Sequence, residues 1–274
     1  MSVQQQPADA EFAALTEKIS RERGFGCASY KEKCLRRRIA VRMRARGVHT
    51  YRDYAAILDR DAREYELLLD ALTINVTKLF RNWETFAAIA DDVLPALWPG
   101  NGEHVRCWSA GCASGEEPYS LAILLHREAM QRRDEGALSR MSILGTDIDR
   151  ESLKAAERGT FGEDAFADTP PAIRRRYFTT KPPHSVDPRV KALVSFERRD
   201  LLHEPTPSGG LDLITCRNVI IYFDRASQEM LFQRFFDALI PGGFLVLGKV
   251  ETLLGPTRNQ FVPVNPRERI FRKP

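Results

Sequence analysis

The second half of the chain alternates short apolar runs with amphipathic stretches, and this rhythm constrains the fold more than any other feature of the sequence. Strands that alternate with helices predict a mostly parallel sheet with helices on both faces. We therefore expect an α/β domain over residues 91–274. The apolar runs are VRCWSA, SILGTD, LVSFE, LDLITC and GGFLVLG, and the helical stretches lie near residues 116–132, 150–158 and 225–239.

Residues 159–190 interrupt this alternation. The segment is rich in proline, arginine and turn-forming residues, which is typical of neither a long strand nor a long helix. We interpret it as an insertion in the α/β domain.

The first seventy residues have a helical pattern instead. Leu35, Ile39 and Met43 recur at i, i+4 and i+8 and form an apolar stripe, and Gly47 is expected to end that helix. Two shorter helices are predicted at 51–58 and 64–72, so that the proposed division is a helical domain over 1–73, an inter-domain segment over 74–90 and the α/β domain over 91–274.

The net charge is +4, but the basic residues are concentrated in one place. Residues 31–46 hold eight lysines and arginines against the single acid Glu32, and eight minus one gives +7. Such a cluster indicates a docking surface for nucleic acid, a membrane surface or an acidic protein, or else a solvated face. Arg37, Arg38 and Arg42 lie off the apolar stripe, so we expect these three to face a partner.

The composition is that of a globular protein, with 43% hydrophobic and 28% charged residues. No stretch approaches the roughly 18 apolar residues that span a bilayer, and the first residues lack the basic and apolar regions of a signal peptide. We therefore expect a cytoplasmic protein without membrane insertion. The five cysteines include no Cys-x-x-Cys pair, so we expect reduced thiols and no metal site.

A glycine-containing segment, residues 108–120, lies where the first predicted strand turns into a helix. Ligands of open α/β sheets bind beyond the carboxyl ends of the strands, and Gly111 and Gly115 would let a ligand approach the backbone. The spacing is not the Gly-x-Gly-x-x-Gly of dinucleotide-binding folds, and a tight turn without a ligand explains it equally well. Glu116 and Glu117 argue against a bound phosphate because like charges repel, and they favour a ligand with a positive or hydroxyl-bearing face.

An acidic residue ends the next apolar run. Asp147 follows SILGT, where a carboxylate can accept hydrogen bonds from both ribose hydroxyls of a nucleoside. It lies thirty-two residues after Gly115, whereas the acidic residue of nicotinamide-binding folds follows after about twenty, which counts against a nicotinamide enzyme. Asp149 is the better candidate for a helix N-cap.

Polar residues also follow two later runs. Arg217, Asn218 and Tyr222 come after LDLITC, and the segment Arg199-Asp-Leu-Leu202, with two polar residues, comes after LVSFE. Polar groups at successive strand ends favour a binding site over a solvated loop. We therefore expect one site at this edge of the sheet, built from several strand ends.

Four segments together resemble one known family. They are Leu72-Thr-Ile-Asn-Val-Thr-Lys-Leu-Phe-Arg81, Gly111-Cys-Ala-Ser-Gly-Glu-Glu-Pro-Tyr-Ser120, Thr146-Asp-Ile-Asp149 and Cys216-Arg-Asn-Val-Ile-Ile-Tyr-Phe-Asp224. Their order and spacing are similar to those of the chemotaxis receptor (MCP) glutamate O-methyltransferases, the CheR family. The resemblance covers essentially the whole chain.

The resemblance implies a small all-helical N-terminal domain and a Rossmann-like methyltransferase domain whose insertion, 159–190, is a small β-subdomain. It implies transfer of a methyl group from S-adenosylmethionine to glutamate side chains of chemoreceptors, with S-adenosylhomocysteine as the other product. The partner would be the cytoplasmic helical bundle of a chemoreceptor, docked on the basic helix Lys31–Arg46. We expect a monomer that binds no nucleic acid.

The implied catalytic residues orient the acceptor rather than remove a proton. A sulfonium methyl is already activated and a glutamate carboxylate is ionised at neutral pH, so positioning is the remaining requirement. The implied catalytic set is Arg81, Arg217 and Tyr222. The implied cofactor contacts are Asn75, Thr77 and Arg81 from the inter-domain segment, and Gly111, Glu116 and Asp147 toward methionine and ribose. The remaining implied cofactor contacts are Asp200 and Leu201 toward adenine, and Arg217 and Asn218 near the transferring methyl.

The chain departs from the family pattern in three places. Gly248-Lys-Val-Glu251 stands where Gly-His-Ser-Glu is common, so no role is carried over for that histidine. Many members read Thr-Asn-x-Thr-x-Phe-Phe-Arg, whereas this chain has Ile74 before Asn75 and Leu79 before Phe80. Both exchanges put an apolar residue at the position and should preserve packing. The insertion lacks the glycine-rich loop by which some members hold a receptor pentapeptide, and we interpret the match of Asn82–Phe86 to that pentapeptide as coincidence.

Two other functions stay open because a fold does not fix a substrate. One is a methyltransferase that acts on a small molecule or a nucleic acid, and the other is a non-catalytic regulator that binds the cofactor. The basic helix has no interleaved aromatic residues for stacking on bases, which counts against nucleic acid.

Overall fold

The computed structural model describes residues 5–73, 76–100 and 103–274. The chain forms two compact units, of which the first comprises Met1–Ile74 and Tyr222–Ser227 and the second comprises Asn75–Ile221 and Gln228–Pro274. We call them the helical unit and the sheet unit. In the described ranges, no helix is long and apolar enough to cross a bilayer.

The helical unit has its own apolar core. Leu35, Ile39 and Met43 are buried in it, as the stripe predicts, and Thr50 and Asp61 cap the helices that follow by accepting backbone N–H groups. The predicted helix at residues 51–58 is confirmed. The helices are α1 (Gln5–Arg23), α2 (Glu32–Ala45), α3 (Tyr51–Leu58) and α4 (Ala62–Leu72), with a 3-10 turn at Cys27–Ser29.

A short segment from late in the chain completes the helical unit. Tyr30 and Phe223 form an antiparallel bridge, and the Lys31 N–H donates to the Tyr222 carbonyl at 2.8 Å. The Asp224 N–H donates to the Ser29 carbonyl at 2.9 Å. Tyr222, a predicted catalytic residue, is thus held by the start of α2.

The predicted α/β pattern is confirmed, with most element ends within a residue or two. The helices that follow α4 are α5 (Trp83–Ala88), α6 (Leu94–Leu97), α7 (Glu116–Arg132), α8 (Arg150–Arg158), α9 (Pro171–Tyr177), α10 (Pro188–Lys191) and α11 (Arg225–Ala238). The strands are β1 (Val105–Ala110), β2 (Met141–Asp147), β3 (Thr160–Phe161), β4 (His184–Ser185), β5 (Val194–Arg198), β6 (Leu211–Cys216), β7 (Leu239–Leu247), β8 (Val262–Asn265) and β9 (Ile270–Arg272).

The main sheet has the order β5-β2-β1-β6-β7-β9-β8. The first five strands are parallel to one another. Strand β9 is antiparallel to its neighbours on both sides, β7 and β8. The chain runs from β1 outward to β2 on one side and later to β6 on the other, so a topological switch point lies beside β1. The sequence patterns did not predict the pair β8 and β9.

The insertion contains a second, two-stranded sheet. β3 and β4 pair antiparallel, with Phe161 opposite His184, and α9 and α10 flank β4 in the sequence. The strands are only two residues long, so short helices and turns make up most of residues 159–190.

Candidate active site

The carboxyl ends of five parallel strands meet at one edge of the main sheet. Because β1, β2, β5, β6 and β7 run in the same direction, the loops that follow them share this edge. Most of the predicted site residues lie in these loops or at the end of an element that borders one of them, namely Gly111, Glu116, Asp147, Asp200, Leu201, Arg217 and Asn218.

The loop after β1 needs its glycines. Gly111 and Gly115 have φ angles of +79° and +93°, which other residues rarely adopt. A Cβ on Gly115 would lie 2.9 Å from the Ala156 Cβ, and one on Gly111 would lie 2.5 Å from Val219 Cγ2. The turn therefore brings the start of α7 close to α8 and to the loop after β6.

Asp147 is a buried carboxylate that builds the neighbouring turn. Its Oδ2 accepts the Ala113 N–H at 2.8 Å, and its Oδ1 accepts the Asp149 N–H at 3.0 Å. Burial raises the pKa of Asp147 although these hydrogen bonds oppose the rise. The Ile148 backbone N–H also interacts with this carboxylate and opposes the rise. A carboxylate offers about four acceptor positions, so acceptor capacity remains for a ligand. Asp149 caps α8 through the Glu151 N–H, which confirms its prediction as an N-cap.

The two acidic residues at the start of α7 have different surroundings. Glu116 is buried, and the single hydroxyl of Ser114 donates to its carboxylate, with Ser114 Oγ at 2.9 and 2.8 Å from the two oxygens. Burial raises the pKa of Glu116. Glu117 instead accepts the hydroxyls of Ser109 and Thr215 at 2.8 and 2.6 Å. We expected both to face a ligand, whereas Glu117 is engaged by the ends of β1 and β6.

Arg217 braces a backbone segment at this edge. Its side chain is buried, and one terminal nitrogen donates to the Arg81 carbonyl at 2.7 Å and to Asn82 Oδ1 at 3.3 Å. The other terminal nitrogen lies 3.5 Å from Glu117 Oε2. Burial lowers the pKa of Arg217, and the Glu117 charge opposes that effect. The Arg217 Nε is buried and has no hydrogen-bond partner among the described residues.

Three further predicted residues lie in the segment before α5. The guanidinium of Arg81 donates to the Val76 carbonyl at 2.8 Å and is partly exposed. Thr77 is partly exposed, and Asn75 lies outside the described residues. The Phe80 N–H donates to the Ser120 hydroxyl at 2.8 Å, which attaches this segment to α7.

Asn218 leaves a buried acceptor without a partner. Its backbone has a φ of +62°, and its Oδ1 is buried without a hydrogen-bond partner in the described part of the chain. Its N–H donates to Glu251 Oε2 at 2.9 Å. Sequence reasoning noted Glu251 as part of a motif but gave it no role.

Asp200 shapes the loop after β5. Its Oδ1 accepts the N–H groups of Leu202 and His203 at 2.9 and 3.3 Å, and its Oδ2 lies 2.9 Å from His203 Nδ1. Leu201 is partly buried. The carboxylate therefore orders the turn in which both predicted adenine contacts lie.

These groups fit S-adenosylmethionine. The edge presents buried carboxylates with raised pKa values at Glu116 and Asp147, and an unpartnered oxygen at Asn218. Such a set suits a ligand with cationic and hydroxyl groups and disfavours phosphate.

Two family descriptions match the chain one after the other. "CheR methyltransferase, all-alpha domain" matches residues 10–73, and "CheR methyltransferase, SAM binding domain" matches residues 75–269. The chain belongs to the CheR methyltransferase family. It is an S-adenosylmethionine-dependent methyltransferase, as the sequence motifs predict.

Relatives of known name cover most of the chain. The chain is 32% identical to the "Chemotaxis protein methyltransferase" of Listeria monocytogenes over 249 residues. This alignment covers 90% of this chain and 92% of the Listeria protein. The chain is 33% identical over 263 residues to the protein of that name in Klebsiella aerogenes, with 93% and 87% covered. An uncharacterised 104.1 kDa protein of Rhodobacter capsulatus is 34% identical over 97% of this chain, which spans only 28% of that protein.

Among solved structures, a TehB-like S-adenosylmethionine-dependent methyltransferase from Corynebacterium glutamicum aligns with a TM-score of 0.38 and 14% identity. The alignment covers 70% of this chain and 92% of the Corynebacterium chain.

The basic helix α2 of this CheR-family chain differs from its prediction. Arg38 is buried, not facing a partner. Its guanidinium donates to the carbonyls of Leu72 and Ala71 and lies 4.8 Å from the centre of the Tyr222 ring. The prediction was wrong because Arg38 lies one residue before the buried Ile39, at the border of the apolar stripe.

Arg42 was also wrongly expected to be free for a partner. Its Nε and a terminal nitrogen donate to the two oxygens of Glu64 at 3.0 and 2.7 Å. Arg36 is likewise engaged, with Asp9 at 2.7 Å. Arg37 is exposed, and within the described ranges it has no ion pair, so it alone of the three predicted docking arginines is available to a partner.

The pentapeptide-like sequence at residues 82–86 lies partly in the core. Thr85 and Phe86 are fully buried, and the Thr85 hydroxyl donates to Glu268 Oε2 at 2.7 Å. These contacts support its interpretation as a coincidental match.

Proposed function

We propose that this enzyme transfers the methyl group of S-adenosylmethionine to glutamate side chains of bacterial chemoreceptors, for chemotactic adaptation or a related chemosensory pathway. The observation that carries the proposal is the ordered match of both CheR domains over residues 10–73 and 75–269. The names of relatives that share most of their length with this chain support it. The proposed location is the cytoplasm, and the proposed state is a monomer.

The chemistry asks the protein for positioning. Bound S-adenosylmethionine supplies an activated methyl group, and a glutamate side chain, with an ordinary pKa near 4.3, is ionised at neutral pH. No group has to remove a proton, so the residues of this chain need only bind the two reactants and align them. The absence of a base from the predicted catalytic set is therefore consistent with the reaction.

Arg81 is the better candidate of the two arginines for the acceptor carboxylate. Arg217 is buried, and its two terminal nitrogens are engaged by the Arg81 carbonyl, Asn82 and Glu117. The Arg81 guanidinium is partly exposed and holds a single backbone carbonyl, so it retains donors for a carboxylate. We assign bracing of the 81–82 segment to Arg217, orientation of the acceptor to Arg81, and its placement to Tyr222.

The cofactor would be held by the strand-end loops. We assign Glu116 to the ammonium group of the methionine portion, Asp147 to the ribose hydroxyls and the loop at Asp200 and Leu201 to adenine. The support is the burial and spare acceptor positions of the first two carboxylates. The remaining assigned contacts are Asn75, Thr77, Arg81, Gly111, Arg217 and Asn218.

The receptor would dock on a cationic stripe of α2, defined here as Lys33, Arg37 and Arg44. All three are exposed and lack ion pairs among the described residues. At 100° per residue they fall within an arc of about 40°, beside the exposed Val41. A stripe of unpaired cations suits the acidic, methylatable face of a receptor helix bundle.

The function is tested by incubation of the full chain with labelled S-adenosylmethionine and receptor fragments. We expect label on the receptor protein that is released by base, because carboxyl methyl esters hydrolyse there. Label on RNA or on a small molecule would instead establish one of the other methyltransferase functions. Binding of the cofactor without transfer to any of these acceptors would overturn the proposal in favour of a regulator.

The docking stripe is tested by charge reversal. Arg37→Glu with Arg44→Glu should lower kcat/KM for the receptor about tenfold at low ionic strength and much less at high salt, because exposed charges are screened beyond about 8 Å at physiological salt. The matched control reverses Arg60 and Arg63, two exposed cations elsewhere on the helical unit. Equal salt curves for the two double variants would show that α2 is not the docking surface.

A further inference from the structure

Glu251 is a buried carboxylate in the loop after β7 and is only 3% exposed. Its Oε2 accepts the N–H groups of Gly248 and Asn218 at 2.7 and 2.9 Å. Its Oε1 accepts those of Val219 and Ile220 at 3.0 and 2.9 Å. The Ile221 N–H also donates to Oε1, at 3.4 Å. One side chain thus satisfies five backbone donors from two loops, of which the four from residues 218–221 are consecutive in the chain.

Consecutive N–H groups that converge on one anion form a concave backbone nest. Such a nest requires an unusual backbone conformation, and Asn218 supplies it with a φ of +62°. A left-handed asparagine costs free energy, so the carboxylate that binds the nest is what favours this conformation. Without the Glu251 carboxylate, the left-handed conformation of Asn218 in the loop after β6 would not be stabilised.

The nest lies against two other parts of the candidate active site. Val219 is so close to Gly111 that a Cβ there would lie 2.5 Å from Val219 Cγ2, so this loop packs on the loop after β1. A Cβ on Gly248 would lie 2.7 Å from Glu251 Oε2 and 2.9 Å from the Asn218 nitrogen. The carboxylate therefore joins the loops after β6 and β7, and the loop after β1 packs against Val219 of the first of these.

We propose that Glu251 is a positioning residue for cofactor binding, which fixes the loop that carries Arg217 and Asn218. The atom that it sets most directly is Asn218 Oδ1, the buried oxygen without a partner in the described residues. Through Val219 it also sets how closely the Gly111 turn approaches the ligand. The proposal depends on the cofactor and not on the identity of the methyl acceptor.

The test measures the affinity of S-adenosylhomocysteine by calorimetry, so no acceptor is needed. Glu251→Gln keeps the shape but turns an amide donor toward backbone donors, and it should weaken binding by about tenfold or more. Glu251→Asp keeps the charge on a shorter side chain and should fall between the wild type and the Gln variant. The control is Glu157→Gln, which removes an exposed carboxylate from the same unit and should bind as the wild type does.

Circular dichroism at the temperature of measurement separates positioning from folding. We expect folded Glu251→Gln protein with weakened affinity and partial recovery in Glu251→Asp. Wild-type affinity in folded Glu251→Gln would overturn the proposal.

If the Glu251→Gln variant does not fold, the proposal is tested on the wild-type protein by amide hydrogen exchange. Amide hydrogen exchange should show the Val219 and Ile220 amides protected in the ligand-free protein, because Glu251 binds them without the cofactor. Exchange of these amides as fast as in an open loop would mean that the nest is not held by Glu251, and the proposal would fail.

Discussion

Glu64 in the helical unit and Glu116 in the sheet unit are both buried carboxylates, but their partners differ in kind. Glu64 accepts two hydrogen bonds from the guanidinium of Arg42 and one from the Tyr54 hydroxyl at 2.8 Å. Among the contacts described, Glu116 accepts from neutral groups, namely the Ser114 hydroxyl and its own backbone N–H.

The partners decide the direction of each pKa. Burial acts to raise the pKa of Glu64, but the hydrogen bonds from Arg42 and Tyr54 outweigh it and hold the pKa below its ordinary value. For Glu116 burial dominates, and the pKa is raised. The same holds for Asp147, whose partners are backbone N–H groups.

The two directions imply opposite effects of pH on folding. The stabilisation from Glu64 is present above its unfolded pKa and is lost as pH falls through its lowered folded pKa. Glu116 favours the folded state most when it is protonated, and this contribution is lost as pH rises through its raised folded pKa. An ionised carboxylate that is paired with a cation, as Glu64 is, therefore stabilises the fold, whereas ionisation of Glu116 disfavours it. We propose that a cationic group of the ligand pairs with Glu116.

The largest effect expected from this contrast is on the stability of the helical unit. Glu64→Gln removes the charge that Arg42 and Tyr54 surround, and it should lower the free energy of unfolding at pH 7 by about 2–4 kcal/mol. Denaturant unfolding followed by circular dichroism measures this. The control is Glu66→Gln, an exposed acid on the same helix, which should change stability by less than about 0.5 kcal/mol. Equal stability of the two variants would contradict the role given to the pair.

The next effect is on ligand affinity in the sheet unit. Asp147→Ala should weaken S-adenosylmethionine binding by about 1–3 kcal/mol, because ribose hydroxyls would lose their acceptor. Asp149→Ala is the matched control, because this residue caps α8. It should cost about 1 kcal/mol of stability and leave affinity unchanged. Calorimetry and thermal unfolding of both variants check this, and unchanged affinity in Asp147→Ala would remove the ribose assignment.

Local sequence patterns were sufficient for most of the fold. The runs VRCWSA and LDLITC are β1 and β6 without a change of residue, because buried parallel strands are short continuous apolar runs. The antiparallel pair β8 and β9 was missed, since Val262–Asn265 contains a proline and Ile270–Arg272 is three residues long. Such short strands carry little periodicity.

The partners of charged residues could not be predicted in the same way. Arg38 binds the Leu72 carbonyl thirty-four residues away, and Glu251 binds N–H groups more than thirty residues before it. These partners are distant in the sequence, so the position of Arg38 off the apolar stripe placed it on the surface, and Glu251 was given no role. Residue type and strand-end position did suffice to bring Glu116, Asp147 and Asn218 to one edge.

The smallest predicted effect is the release of protons from Glu116 when the ligand binds. It tests the contrast between Glu64 and Glu116 most directly. If Glu116 binds the ammonium group of the ligand, it must be ionised in the complex, and burial raises its pKa in the free protein. In the pH range above the ordinary glutamate value of about 4.3, part of the free protein carries a proton on Glu116 that the ligand must displace. Affinity for S-adenosylhomocysteine should therefore fall several-fold as pH decreases through the raised pKa, and binding should release protons there.

Calorimetry in two buffers of different ionisation enthalpy counts those protons. In Glu116→Gln the side chain cannot titrate, so binding should be weaker at neutral pH and the release assigned to this residue should disappear. Ser114→Ala is the companion variant, because removal of the hydroxyl that favours the charged form should raise the Glu116 pKa further and shift the proton release to higher pH. The same proton release in wild type and Glu116→Gln would show that Glu116 is not the group that meets the charge of the ligand, and the contrast with Glu64 would then concern folding alone.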